Sequence, residues 1–172
     1  MSIEPDTKDW TWVLSQQCPE CGLTASDVVP VEIGAQVRAD LPRWEAVLTR
    51  PDVRERPSPD VWSPLEYACH VRDVYVLFAE RVELMLDQDD PLFANWDQDV
   101  TAIEHDYASQ DPVAVAEELV AAGDVIARVF DNVAADSWDR TGRRSDGSTF
   151  TASTLGQYFM HDIVHHLHDV HA

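Results

Sequence analysis

The chain has 172 residues, 45% of them hydrophobic, and sets 12 lysines and arginines against 32 aspartates and glutamates for a formal net charge of −20. A single domain suits that length and buries enough surface to hold a core without disulfides or a metal. So acidic a surface repels nucleic-acid backbones and anionic lipid, so neither is an expected partner.

An N-terminal arm, residues 1–30, carries Cys18-Pro-Glu-Cys21-Gly22, shaped like one knuckle of a zinc ribbon, with glycine permitting the tight turn. The remainder, 31–172, reads as helical. Ile33, Val37, Leu41, Trp44 and Leu48 recur at spacings of three and four, one face of a helix in which Pro42 is expected to cause a kink or break. The proline-rich stretch 51–60 interrupts the pattern. Ser63-Pro64-Leu65-Glu66 then predicts a second helix, with serine as cap and proline in its first turn. It runs to about Leu86 on Leu65, Cys69, Val76, Phe78, Val82 and Met85.

The acidic stretch 87–99 reads as a loop anchored by Phe93 and Trp96. Asp111-Pro112 opens a third helix whose apolar side includes Val113, Ala116, Leu119, Val120, Ile126 and Phe130. Around Ser145-Asp146-Gly147 two short polar-apolar pieces predict a hairpin, with Asp-Gly as the turn signal. A last helix opens near 151–154 and runs to the C-terminus. Four long helices with irregular connections predict an all-α four-helix bundle.

No apolar run approaches the ~18 residues of a membrane span. The opening MSIEPDTKDW has no basic run followed by an apolar one, so no secretory leader is expected, and three cysteines make an odd number for a disulfide framework. A reducing, cytoplasmic setting is expected.

Four of the seven histidines fall in His161-Asp-Ile-Val-His165-His166-Leu-His168. His161 and His165, four apart, share a helix face and can reach one metal ion. His70, in the apolar second helix, is the expected third ligand, since an unpaired imidazole is costly to bury there. His161-Asp-x-x-His165 is similar to the zincin signature, but aspartate is one methylene shorter than the glutamate base. Asp162 is therefore read as a supporting or surface carboxylate. Asp73, one turn after His70, is a candidate base or ligand-orienting group.

For the cysteine pair three readings stand. Cys18 and Cys21 take His166 and His168 into a second, structural zinc site; they form a redox dithiol; or they are unreactive. Cys69 is expected in the core. Arg140, Arg143 and Arg144 are expected to pair with local carboxylates, and His105 and His171 to face solvent.

Trp62-Ser-Pro-x-Glu-x-x-x-His70 followed by His161-x-x-x-His165 on a last helix resembles the DinB-like superfamily of four-helix metal proteins. That superfamily includes bacterial thiol S-transferases and the metal-binding domain of mycothiol-dependent maleylpyruvate isomerase. The resemblance spans roughly 31–170. It implies an up-down bundle with a long crossover and a metal site of His70, His161 and His165. The isomerase carries a glutamate where His161 stands. Also implied are a small-molecule substrate, mycothiol or a similar thiol, and dimerisation through bundle faces. A three-histidine ion with open positions can lower the pKa of a thiol or of water, zinc being the first choice on ligand type and nickel the next. An enzyme of S-transferase or hydrolase type is one expectation; a non-catalytic metal-binding protein of the same fold is the other.

Overall fold

A computed structural model describes residues 9–172; the terminal residues 1–8, where most of the opening read above as leaderless falls, lie outside the described residues. The helices are α1 (Ile33–Leu48), α2 (Pro64–Asp87), α3 (Gln98–Glu104), α4 (Pro112–Asp131) and α5 (Ala152–Asp169). A two-stranded antiparallel sheet, β1 (Thr141–Arg143) with β2 (Thr149–Thr151), pairs Gly142 with Phe150. The four long helices are the expected bundle; α3 is an additional short helix of about two turns in the connection between α2 and α4.

Local chemistry explains the starts of these elements. Ser63 Oγ accepts from the Glu66 amide at 3.3 Å, and Glu66 Oε2 accepts from the Ser63 amide at 2.9 Å, a reciprocal capping box. Arg56 joins both Glu66 oxygens, so the second helix starts on a half-buried ion pair. Thr151 and Thr154 cap α5 in the same reciprocal way, and Asp111 Oδ1 accepts from the Val113 amide to open α4.

Pro42 does not break α1, which runs through it without interruption. The ring sits on the exposed side, while Leu41, Trp44, Val47 and Leu48 are buried on the other. Burying a large side chain is worth about 1.5–3 kcal/mol, so these four together outweigh the roughly 3 kcal/mol cost of an internal proline. Val76 and Val113 depart from the expected apolar faces: both are exposed, and Val74 and Tyr75 take the buried positions on α2 instead.

In the core, α4 packs along both α1 and α2, and α5 lies against α2 and α1. The approach of α1 to α4 is close enough to demand glycine. A Cβ on Gly34 would stand 2.7 Å from the backbone oxygen of Ala127. Phe78, Phe130 and Tyr75 meet Phe159 of α5 at ring centroid distances of 5.3–5.9 Å, joining three helices in one aromatic cluster. The N-terminal arm lies along α5, and among the described residues no helix is long and apolar enough to cross a membrane.

Candidate metal centres

The histidine-rich turn of α5 presents two faces. His161 and His165 stand with Cys18 and Cys21 of the arm, one ligand atom from each lying within 4.8 Å of the others. Asp162 and His166, each one residue further along, stand with His70 of α2 under the same criterion. The expected set is thus divided. His70 is grouped with Asp162 and His166 rather than with His161 and His165, and the cysteines meet His161 and His165 rather than His166 and His168. His168 is exposed and belongs to neither group.

The His70 group has the marks of a ligand set. His70 Nε2 and His166 Nε2 lie 3.5 and 3.3 Å from Asp162 Oδ1. Yet Asp162 Oδ1 and both ring nitrogens of His70 make no hydrogen bond within the protein. Buried donors and acceptors that converge without bonding one another are costly unless something else satisfies them, and a cation does so. On the far side of its ring, His166 Nδ1 lies 2.9 Å from Asp169 Oδ2, which fixes Nε2 toward His70 and Asp162.

Electrostatics follow from the burial. Desolvation lowers the pKa of His70 and keeps it neutral. Burial also opposes charge on Asp162 and His166, but their mutual attraction prevails: the Asp162 carboxyl is held far below the usual range, and His166 is raised to about 9 with help from Asp169. Trp96 stacks on His70 at 5.6 Å and Trp62 tilts against it at 5.3 Å, sealing that ring from solvent.

The cysteine group is built on the expected turn. Gly22 has φ +76°, its amide donates to the Cys18 carbonyl at 2.9 Å, and the Cys18 amide returns to the Leu23 carbonyl at 2.9 Å. Cys18 Sγ lies 3.6 Å from His165 Nδ1, and His165 Nε2 lies 3.4 Å from Glu20 Oε2. His161 is 4% exposed, and its Nε2 has no hydrogen-bond partner. Burial, with the charge of His165, lowers the pKa of His161 to about 4, so its ring is neutral at pH 7. Burial pushes the Cys21 thiol up to about 11, so the thiolate forms at neutral pH only where a cation takes the place of the proton.

Asp73 stands apart from both groups. Its Oδ1 accepts from Arg72 at 2.8 Å, and its Oδ2 accepts from the Tyr107 hydroxyl at 2.5 Å beside His105. Those bonds tie α2 to the connection before α4, and Asp73 does not line the cleft described next. The arginines behave as expected, Arg140, Arg143 and Arg144 pairing with Asp89, Asp90 and Asp146.

A cleft of about 600 Å³ opens over α5. His161, Asp162, His165 and His166 line it from α5, Trp62 and Trp96 from α2's surroundings, and Trp10 and Glu20 from the arm. His70 lies beneath, with a side chain 1% exposed, whereas Asp162 and His166 are 24% and 18% exposed. The His70 group is therefore closed below and open above. The sequence signal for Asp162 was present, since Asp162 and His166 are also four apart; the histidine pair one residue earlier overshadowed it.

A model of the DinB superfamily matches residues 35–170. The chain belongs to the DinB superfamily. Among solved structures it is similar to YfiT from Bacillus subtilis, described as a probable metal-dependent hydrolase with an unusual four-helix bundle topology. The two share 18% identity over 81% of each chain, with a TM-score of 0.68, a likeness of fold. No curated protein matches. The comparisons establish the DinB-superfamily bundle, and the side-chain geometry places two candidate metal groups on its last helix.

Proposed function

We propose that this DinB-superfamily protein is a metal-dependent enzyme in which His70, Asp162 and His166 hold a divalent cation at the floor of the cleft. The observation that carries this reading is the convergence of buried, unsatisfied ligand atoms at the base of an open cavity. Two imidazoles and one carboxylate with positions free toward the cleft is a catalytic donor set, and zinc suits it first. Such an ion supplies an acidified thiol or water as nucleophile at neutral pH. The resemblance to thiol S-transferases favours a low-molecular-weight thiol such as mycothiol, and the description of YfiT favours water.

The chain's own residues have defined tasks in this reading. Asp169 holds the His166 ring so that Nε2 faces the ion. Trp62 and Trp96 exclude water from His70 and fix its ring. The cleft walls seat a small-molecule electrophile over Asp162 and His166, and the acidic surface around them suits a neutral or cationic substrate better than a polyanion. The reading is tested by incubating zinc-loaded protein with a small thiol and an alkyl halide, and separately with an activated ester. Zinc-dependent turnover in either assay, absent in Asp162→Ala, is the expected result. No turnover in either would overturn the enzymatic reading in favour of a metal-binding protein without catalysis.

A further inference from the structure

We infer that Cys18, Cys21, His161 and His165 form a second, closed metal site that staples the N-terminal arm to α5 and thereby builds one wall of the cleft. Two thiols and two imidazoles make a four-ligand tetrahedral set, the donor combination of structural zinc rather than of an open catalytic ion. Tetrahedral ligands at about 2.0–2.3 Å from zinc stand roughly 3.3–3.8 Å apart. Cys18 Sγ and His165 Nδ1, at 3.6 Å, are already at that spacing, and the whole group lies within 4.8 Å.

Three independent features point to a cation. The backbone of the Cys18–Gly22 turn is held by its own hydrogen bonds, so both sulfurs are presented from a fixed loop. His161 is buried with Nε2 unpartnered. His165 has carboxylates on its other nitrogen, Glu20 at 3.4 Å and Asp169 at 3.8 Å, which is how ligating imidazoles are ordinarily oriented. The consequence for the cleft is direct. Trp10 packs on the His161 and His165 rings at centroid distances of 5.8 and 5.4 Å, and Glu20 lies inside the knuckle, so the ion would fix both at the cleft wall.

The site shares no ligand with the cleft ion and is tested so that the two can fail separately. The full-length chain is loaded with cobalt(II), and its absorption and metal content are compared with those of Cys21→Ser and His70→Ala. Expected are two ions in the unmodified protein and a thiolate-to-cobalt charge-transfer band with tetrahedral visible bands. That band should be lost with one ion in Cys21→Ser and kept in His70→Ala, which loses only the other ion. The spectrum of the unmodified protein needs no variant to fold. Absence of a thiolate band from it, or a Cys18–Cys21 disulfide found by mass in protein purified under reducing conditions, overturns the proposal. A thiolate band with a single ion supports it while removing the cleft ion.

Discussion

His161 and His165 look toward the N-terminal arm, whereas Asp162 and His166 look toward α2. One residue of offset turns a helix by about 100°, and that rotation separates a closed sulfur–nitrogen group from an open nitrogen–oxygen group. The first draws its partners from a loop held by a glycine turn; the second draws His70 from the interior of a long helix capped by Ser63 and Glu66. The contrast teaches that ligand type and access, rather than histidine count, distinguish a site suited to holding the chain from one suited to chemistry. Asp169 touches both, 2.9 Å from His166 and 3.8 Å from His165.

The largest effect is expected at the carboxylate that distinguishes the open group. Asp162→Ala should weaken the cleft ion by more than about 100-fold, beyond the usual cost of losing a partner outside the ligands. Isothermal titration with zinc measures this, and an unchanged thiolate–cobalt band in the same variant shows that the closed group is separate. Equal loss at both groups would merge them into one site.

Next comes stability. An ion bound only by the folded chain stabilises it by about 2.7 kcal/mol when free metal is a hundredfold above its dissociation constant. Cys21→Ser should forfeit an amount of that order in urea unfolding at fixed zinc, and a chelator should remove the difference between the two proteins. A difference that persists in chelator would make the cysteine's contribution one of packing.

Asp169→Asn should weaken the cleft ion by about 10–100-fold, because the amide holds the His166 ring less firmly than a carboxylate does. The effect on the thiolate band should be smaller, since Glu20 also supports His165. A larger effect on the closed group would reverse the assignment of Asp169.

The smallest change is expected at the base of α2, away from both groups. Burial alone would raise the Glu66 pKa, but Arg56 and Ser63 hold its carboxyl below the usual range. Its stabilisation is therefore complete above the unfolded value of about 4.3 and is lost as pH falls through the lower folded value. Glu66→Gln should cost about 1–2 kcal/mol near pH 7 and flatten the acid side of the stability profile, as followed by urea unfolding between about pH 6 and 3. An unaltered profile would assign the acid sensitivity to other carboxylates.

Much of the bundle was legible in the chain because its signals are local. Helix caps at Ser63, Asp111 and Thr151, the three-and-four spacing of Ile33 to Leu48, and the Asp-Gly hairpin turn each act over a few residues. The break that Pro42 could have caused does not occur, because its penalty is local too, whereas the burial that overrides it comes from α4 and the rest of the core. The residue types of the metal groups were equally plain: His70, His161, Asp162, His165, His166 and the two cysteines are all there to read.

Their grouping was not. Two overlapping pairs, His161 with His165 and Asp162 with His166, satisfy the same four-residue spacing, so periodicity cannot choose between them. What chooses is the rotation of α5 about its own axis, set by Leu155, Phe159, Ile163 and Leu167 packing into the core. That packing turns one pair to the arm and the other to His70. The sequence by itself determined the helices and the chemistry on offer. Tertiary structure alone decided which ligands meet, because a contact between Cys18 and His165 spans nearly the whole chain and depends on how every helix between them is packed.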